Sequence, residues 1–191
     1  MNKNRCAWVT TDPIYIKYHD EEWGNFNQFN NDHYLFEMLT LEGAQAGLSW
    51  ITILKRRENY RKAFAQFNPE KVSAFGMKEI ERLMNDEGII RNRRKIESAI
   101  QNAKAFLEVQ TEYGSFHSFL KSLFYRDIPI INQWELHEEV PAQTKESIML
   151  SKTLRKKGFT FIGPVICYSF MQAVGIVDDH TRDCWLYKVD H

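Results

Sequence analysis

The sequence is poor in cysteine and carries no long apolar run. Three cysteines in 191 residues give no disulfide framework, which favours a reducing compartment such as the cytosol. No apolar run approaches the roughly eighteen residues of a membrane span, and the first residues lack the apolar core of a signal peptide. We therefore predict a cytoplasmic protein without a membrane partner, and we exclude a secreted disulfide scaffold.

The sequence also lacks net charge, because 25 Lys and Arg balance 25 Asp and Glu. A nucleic-acid binder usually has a basic footprint, so the overall balance argues mildly against one. Basic residues are nevertheless clustered at 91–95 and again at 152–157. Each cluster alone is more often a solvated helix face than a binding site, so charge leaves nucleic-acid binding open.

What is abundant is apolar and aromatic residues, which make up 43% and 14% of the chain and predict a substantial core. The length fits one domain or two small lobes. Periodicity and capping residues predict an all-α fold with helices at 32–41, 49–64, 70–75, 78–85, 93–112, 116–123, 145–157 and 164–175. Residues 13–19 are predicted as a short aromatic segment, 20–24 as a turn or single helical turn, and 125–141 as an extended loop. No segment predicts a strand.

Residues 41–50 are the most informative stretch of the sequence. Glu42 lies in an apolar setting, where glutamate is rare unless it is paired or functional. Gly43 and Gly47 weaken helix formation by about 1 kcal/mol each, which indicates a bend. The stretch predicts helix, bend, helix, with a carboxylate and the indole of Trp50 near the corner. A packed corner with an incidental glutamate explains the residue types equally well.

Two cysteines and two histidines near the ends of the chain form a candidate metal site. Cys6 and His19 precede the first predicted helix, and His180 and Cys184 follow the final one. Four sulfur and imidazole ligands suit a closed structural zinc site, which would tie the two ends together. The alternative is two free thiols and two surface histidines. Cys167 lies in an apolar helix and is predicted to be a core thiol.

A glycine-containing connection at 156–164 joins two predicted helices. Backbone N–H groups ahead of a helix N-terminus suit an anion such as phosphate, and upstream lysines strengthen that preference. An ordinary helix–helix turn with a glycine stop accounts for the same residues.

Taken together and in this order, the motifs resemble the 3-methyladenine DNA glycosylase I family, the constitutive alkylation-repair glycosylases of bacteria. The resemblance rests on residues 5–8, 12–24, 35–50, 88–96 and 158–180. Residues 25–32 and 125–147 depart from the family in detail, which leaves loop shape rather than chemistry open. The resemblance implies a single glycosylase domain, 1–191, of the helix-hairpin-helix type, with two helical lobes and the base pocket between them.

The resemblance also implies roles for individual residues. Glu42 would be catalytic, with Trp50, Tyr15 and Tyr18 binding the substrate base. DNA would be contacted by Gly47, Leu48, Gly158, Phe159 and Gly163. A structural zinc would be held by Cys6, His19, His180 and Cys184. The partners would be double-stranded alkylated DNA and the product 3-methyladenine, and the protein is expected to be a monomer.

The implied chemistry is extrusion of the damaged nucleotide and hydrolytic release of its base, leaving an abasic site. No lysine near the hairpin is placed as a Schiff-base nucleophile, so we predict a monofunctional enzyme. Related glycosylases use an aspartate after the hairpin, and Asp178 or Asp179 lies near that location. The resemblance implies that this family lacks that aspartate, and we predict a non-catalytic role for Asp178.

Two other functions fit part of the sequence. A non-catalytic, zinc-tethered helical DNA-binding module would need the hairpin and the lysines but not an acidic aromatic pocket. A zinc-dependent hydrolase fits less well, because four protein ligands leave no open coordination position.

Overall fold

The computed structural model describes residues 3–124 and 129–188. Its α-helices are α1 (Pro13–Glu21), α2 (Asp32–Gln45), α3 (Trp50–Leu54), α4 (Arg57–Ala63), α5 (Pro69–Ser73), α6 (Met77–Met84), α7 (Arg93–Tyr113), α8 (Phe116–Leu123), α9 (Lys145–Lys156) and α10 (Pro164–Ala173). The prediction of a mostly helical, all-α fold is confirmed. Of the predicted loop 125–141, residues 125–128 lie outside the described part of the chain.

Most helices begin where the sequence offers a capping side chain. Asparagine, serine and threonine side chains at five α-helix starts accept a hydrogen bond from an otherwise unpaired backbone N–H of the first turn: Asn31, Asn68, Asn92, Ser115 and Thr144. Glycines follow α7 and α9 in the left-handed conformation, with φ of 82° at Gly114 and 87° at Gly158. These local signals explain why the predicted bounds of α5 to α10 agree closely with the structure.

The first helix was not predicted as one, although the sequence contains its start signal. Asp12 accepts a hydrogen bond from the N–H of Ile14, and Pro13 occupies the first helical position. Residues 13–21 therefore form α1 rather than an aromatic segment followed by a turn.

Two predicted bounds near residues 41–50 were wrong. Helix α2 continues to Gln45 instead of ending at Leu41, so Glu42 and Gly43 lie inside the helix and the bend comes at 46–49. A methyl group on Gly43 would lie 3.7 Å from the carbonyl oxygen of Phe161. Gly43 is therefore a point where another segment packs close to α2, and it is not a helix end. The predicted helix 49–64 is two helices, α3 and α4, with no proline or glycine at the break.

The prediction of no strand was wrong for four residues. Strands β1 (Ile130–Ile131) and β2 (Val177–Asp178) pair in parallel, with Ile130 opposite Val177. The N–H of Ile130 donates to Ile176 O at 2.8 Å, and the N–H of Asn132 donates to Asp178 O at 3.0 Å. The pair attaches the segment after residue 128 to the chain that follows α10.

Helix α2 occupies the centre of the fold and packs against α3, α7, α8 and α10. Residues 34–42 of this helix are all buried, so polar as well as apolar side chains lie inside the protein. This placement carries Glu42 into the interior. None of the helices in the described ranges combines the length and apolar character needed to cross a membrane.

The two ends of the described chain lie side by side. The N–H of Trp185 donates to Asn4 O at 3.0 Å, and Asn4 Nδ2 donates to Asp183 O at 2.8 Å. Gly24 also approaches the C-terminal segment so closely that an added Cβ would lie 2.9 Å from His180 Cε1. Residues from both ends can therefore contribute to one site.

Candidate functional site

A cavity of about 190 Å³ opens beside the C-terminal part of α2. Its lining comes from both halves of the chain and consists of Trp8, Tyr15, Tyr18, Trp23, Glu42, Gln45, Trp50, His137, Ser169 and Gln172. The structure thus brings together the four residues predicted for the base pocket. The other six were not predicted, and His137, which was expected at the surface, is exposed at the rim.

Helical spacing explains how several of these side chains reach one cavity. Tyr15 and Tyr18 are three residues apart on α1, and Ser169 and Gln172 are three apart on α10, so each pair shares a helix face. Trp50 is the first residue of α3, directly after the bend.

Aromatic rings form most of the wall. The ring centroids of Tyr18 and Trp50 lie 5.5 Å apart, and Trp8 lies 5.2 Å from Tyr15 and 5.0 Å from Trp23. The indole Nε1 of Trp50 is buried and has no hydrogen-bond partner among the described residues. The wall therefore offers flat faces for a planar ligand and one unused hydrogen-bond donor.

Glu42 is the acidic group of the cavity. It is 4% exposed and makes no hydrogen bond or ion pair with another described residue. Burial raises the pKa of this carboxyl to about 8. A cation or hydrogen-bond donor in the cavity would favour the ionised form, so the site is suited to an electron-poor ligand that donates hydrogen bonds.

The bend at 46–49 lies between two residues that line the cavity, Gln45 and Trp50. Gly47 adopts a φ of 79°, which other residues rarely adopt. The bend is closed by the N–H of Leu48, which donates to Gln45 O at 2.7 Å, and by Gln45 Nε2, which donates to Leu48 O at 2.8 Å. The Leu48 side chain is 37% exposed, so an apolar group stands at the surface next to the opening.

The connection between α9 and α10, called the hairpin below, covers residues 157–163. Helix α7 holds it in place, because Asn102 accepts from the N–H of Thr160 at 2.8 Å and donates to its carbonyl oxygen at 3.0 Å. Gly158 needs its left-handed φ of 87°, whereas Gly163 has an ordinary φ of −60°. The hairpin is thus a fixed element rather than a loose loop.

The aromatic residues of this hairpin differ in exposure. Phe159 is buried, with its ring centroid 5.9 Å from that of Phe116, so only its backbone is available to a partner. Phe161 was not singled out from the sequence, yet it is 40% exposed and has a φ of 51°. The exposed ring of the hairpin is therefore Phe161.

Three of the four predicted metal ligands meet between the two ends of the chain. The ligand atoms of Cys6, His19 and Cys184 all lie within 4.8 Å of one another, and His19 Nε2 lies 3.5 Å from Cys184 Sγ. His180 lies beside them, with its ring centroid 5.1 Å from that of His19. His180 Nε2 is buried and has no partner in the described chain, which leaves it available as a fourth ligand.

Carboxylates orient both histidines of this cluster. Asp20 Oδ1 lies 2.9 Å from His19 Nδ1, and Asp178 Oδ1 lies 2.6 Å from His180 Nδ1. Each contact occupies Nδ1 and leaves Nε2 for the cluster, which is the arrangement that outer carboxylates produce around metal-bound histidines. Two sulfurs and two imidazoles are a donor set that fits zinc.

Asp179 is held entirely by neutral donors. It is 1% exposed and accepts hydrogen bonds at 2.6–2.7 Å from four side chains: Asn132, Trp134, Tyr168 and Gln172. Asp179 therefore joins the segment after β1 to α10 and fixes Gln172 in the cavity wall. Neither Asp178 nor Asp179 has a carboxylate that is free of protein partners.

Comparisons with known sequences match nearly the whole chain. The sequence model of the methyladenine glycosylase family matches residues 8–187. The DNA-3-methyladenine glycosylase 1 of Escherichia coli (strain K12) is 50% identical over 183 residues, covering 96% of this chain and 96% of that protein.

Solved structures give the same result. A crystal structure of 3-methyladenine DNA glycosylase I has a TM-score of 0.92 at 47% identity, covering 97% of this chain and 100% of the other. A variant of a 3-methyladenine DNA glycosylase I, in complex with 3-methyladenine, also has a TM-score of 0.92, at 38% identity and with 98% and 100% coverage.

Proposed function

The chain belongs to the methyladenine glycosylase family, and on this premise we propose that its aromatic cavity holds an extruded 3-methyladenine while the N-glycosidic bond is hydrolysed. The chain is a base-excision repair glycosylase that acts on alkylated DNA. One observation supports the site assignment above all others. Glu42 is buried in an aromatic cavity and has no partner among the described residues.

The substrate itself supplies much of the reactivity. A 3-methyladenine base in DNA is positively charged, so its glycosidic bond is weakened and departure of the neutral base relieves the charge. Extrusion of the nucleotide costs a few kcal/mol, less for a damaged base than for an intact one. Stacking of the cationic ring on Trp50 would stabilise the extruded base by about 0.5–2 kcal/mol through a cation–π contact.

Glu42 is proposed as the group that distinguishes the damaged base from adenine. Its carboxylate would accept a hydrogen bond from the exocyclic amine and would attract the cationic ring, an attraction that neutral adenine lacks. The cost of ionising this buried group is offset by the charge of the ligand. Tyr15, Tyr18 and Trp50 would enclose the ring and exclude water from its faces.

The surface beside the cavity is proposed to engage double-stranded DNA. Leu48 would enter the base stack in place of the extruded nucleotide, with Gly47 shaping the bend that presents it. The hairpin of Gly158, Phe159 and Gly163 would bind a phosphate through backbone N–H groups, as in helix-hairpin-helix glycosylases. The residues that line the cavity include no lysine, which supports a monofunctional reaction in which water leaves an abasic site.

We propose that Cys6, His19, His180 and Cys184 hold one structural zinc. Four protein ligands close the site, so the ion would tether the ends of the chain and take no part in hydrolysis. Asp178 would orient His180 rather than act on the sugar. The free Nε2 of His180 supports this ligand set.

The arrangement of the cavity supports a single domain, residues 1–191, with a helical lobe on each side of the base pocket. We propose that this domain acts as a monomer in the cytoplasm.

Release of 3-methyladenine from methylated duplex DNA tests the function and the site together. We expect Glu42→Gln to lower the single-turnover rate by roughly a hundredfold, because the carboxylate that would face the cationic base is lost. Trp50→Ala should weaken binding of the base. The control is Glu108→Gln, which removes one carboxylate from the exposed face of α7. A wild-type protein that releases no 3-methyladenine would refute the function, and an unimpaired Glu42→Gln would refute the site.

A further inference from the structure

Lys95 belongs to the basic cluster at 91–95, but its side chain turns inward. Its Nζ donates to Ala44 O at 2.8 Å and to Ala46 O at 2.6 Å. The side chain is half-buried, and burial lowers the pKa of its ammonium group. Two other members of the cluster behave differently: Arg91 pairs with Glu87 in the exposed segment before α7, and Arg93 pairs with Glu97 on the exposed face of α7.

The two carbonyl groups that Lys95 contacts are at the end of α2. Backbone carbonyls of the last turn have no partner within a helix, and the C-terminal end carries partial negative charge. One ammonium group satisfies two of them, which offsets the cost of its partial burial. The contact ties α7 to the exit of α2, one turn after Glu42.

The bend that follows depends on such a tie. Gly47 gives the backbone freedom at its centre, and Ser49 makes no side-chain capping bond at the start of α3. The hydrogen bonds between Gln45 and Leu48 close the turn, and Ser49 Oγ lies 2.7 Å from Thr52 Oγ1 in α3, but these bonds stay within residues 45–52 and reach no helix distant in the sequence. Lys95 supplies that fixation.

We propose that Lys95 is a positioning residue for base extrusion, which holds the bend at 46–49 and thereby sets where Leu48 lies relative to the cavity. The inference rests on the proposed entry of Leu48 into the DNA stack. Two of the three N–H donors of Lys95 serve carbonyl oxygens at the start of the bend, so we propose that it acts through the bend.

The test is Lys95→Met, which keeps the length of the side chain and removes the ammonium group. At saturating methylated duplex, we expect its single-turnover base release to fall roughly tenfold to a hundredfold through misplacement of the bend. Binding of free 3-methyladenine, followed by tryptophan fluorescence, should stay within about twofold of wild type, because the cavity is intact. Lys104→Met is the control, since it removes the same charge from the exposed face of α7.

A second arm asks whether Lys95 acts through Leu48. In a Leu48→Ala background, Lys95→Met should cost little further activity, because the side chain it positions is gone. Additive losses, or equal rates for Lys95→Met and Lys104→Met, would overturn the proposal. Lys95→Gln replaces the methionine variant if that protein does not fold. Failure of the function itself would appear separately, as a wild-type protein that releases no base.

Discussion

Glu42 illustrates how one residue can be costly for folding and useful for binding. A carboxyl in an aromatic cavity loses its hydration, and burial alone raises its pKa to about 8. An ion pair would have relieved that cost, as Glu37 does with Arg57, whose Nε lies 2.6 Å from the Glu37 carboxylate. Glu42 has no such partner in the described chain, so the energy is recovered only when a ligand binds.

This raised pKa predicts a pH-dependent stability. The unfolded carboxyl loses its proton near pH 4.5, whereas the folded one keeps it up to about pH 8. The stability associated with this proton is therefore complete below the unfolded value and is lost as the pH rises through the folded value. Glu42→Gln removes this titration. At alkaline pH we therefore expect the free energy of unfolding of the variant to rise relative to wild type by about 1–3 kcal/mol.

Urea unfolding of both proteins at about pH 5 and about pH 9 checks this expectation. The gain of Glu42→Gln over wild type should be larger at the higher pH. The exposed Glu108→Gln should show no such difference. Parallel stability curves for wild type and Glu42→Gln would contradict the assignment.

The sequence was sufficient to predict the central residues of the cavity but not all the residues that line it. Glu42 stands out because a charge interrupts an apolar helix, and the resemblance indicated Trp50, Tyr15 and Tyr18. Trp8 and Trp23 lie within the stretches that carry the resemblance, yet nothing local distinguishes a cavity tryptophan from a core one. Ser169 and Gln172 share a helix face, and only the packing of α10 against α2 shows which way that face points.

At the level of elements, local signals and long-range contacts explain what sequence could and could not reveal. Helices with an Asn, Ser or Thr cap were predicted closely, because the capping bond is made within a few residues. The end of α2 and the pairing of β1 with β2 were not predicted from the sequence. The first depends on Lys95 from a helix almost fifty residues away, and the second on pairing between segments on either side of α9 and α10.

The turn between α4 and α5 is another element without a sequence signal. Ala65, Gln66 and Phe67 have φ values of 51°, 57° and 52°, although none is a glycine. Left-handed backbone costs roughly 1–2 kcal/mol per residue with a side chain. The surrounding packing, including the buried ring of Phe67, holds the turn in this conformation.

A glycine in place of Gln66, the exposed residue of this turn, should relieve part of the strain. We expect Gln66→Gly to raise the free energy of unfolding by about 0.5–1 kcal/mol, since the lower strain exceeds the added freedom of the unfolded chain. Gln66→Ala is the matched control, because it shortens the side chain and keeps the Cβ. Urea unfolding that ranks the glycine variant at or below the alanine variant would show that the turn is unstrained.

For the whole molecule, the decisive feature is the junction of its two ends. The cluster of Cys6, His19 and Cys184 lies where residues 4 and 185 meet, and α1 continues directly from it to the cavity. A metal ion there would stabilise the ends and the aromatic wall formed by Trp8, Tyr15 and Tyr18.

Removal of the proposed zinc should therefore destabilise the protein rather than block its chemistry directly. We expect about one zinc per chain, and we expect chelation or Cys184→Ser to lower the unfolding temperature by about 10 °C. Cys167→Ser is the control for metal content, since that thiol is buried in α10 away from the cluster. Full zinc content in Cys184→Ser, or an unchanged unfolding temperature after complete metal removal, would refute the tether.

The meeting of the two ends also bears on how the protein is made. During synthesis the N-terminal residues emerge first, and residues 8–50 carry the five aromatic side chains of the cavity wall together with Glu42. Ser169, Gln172 and the anchor at 180–185 leave the ribosome much later. A nascent chain thus lacks part of the cavity lining and the partner of its first residues, so the cavity is complete only when translation has passed residues 180–185.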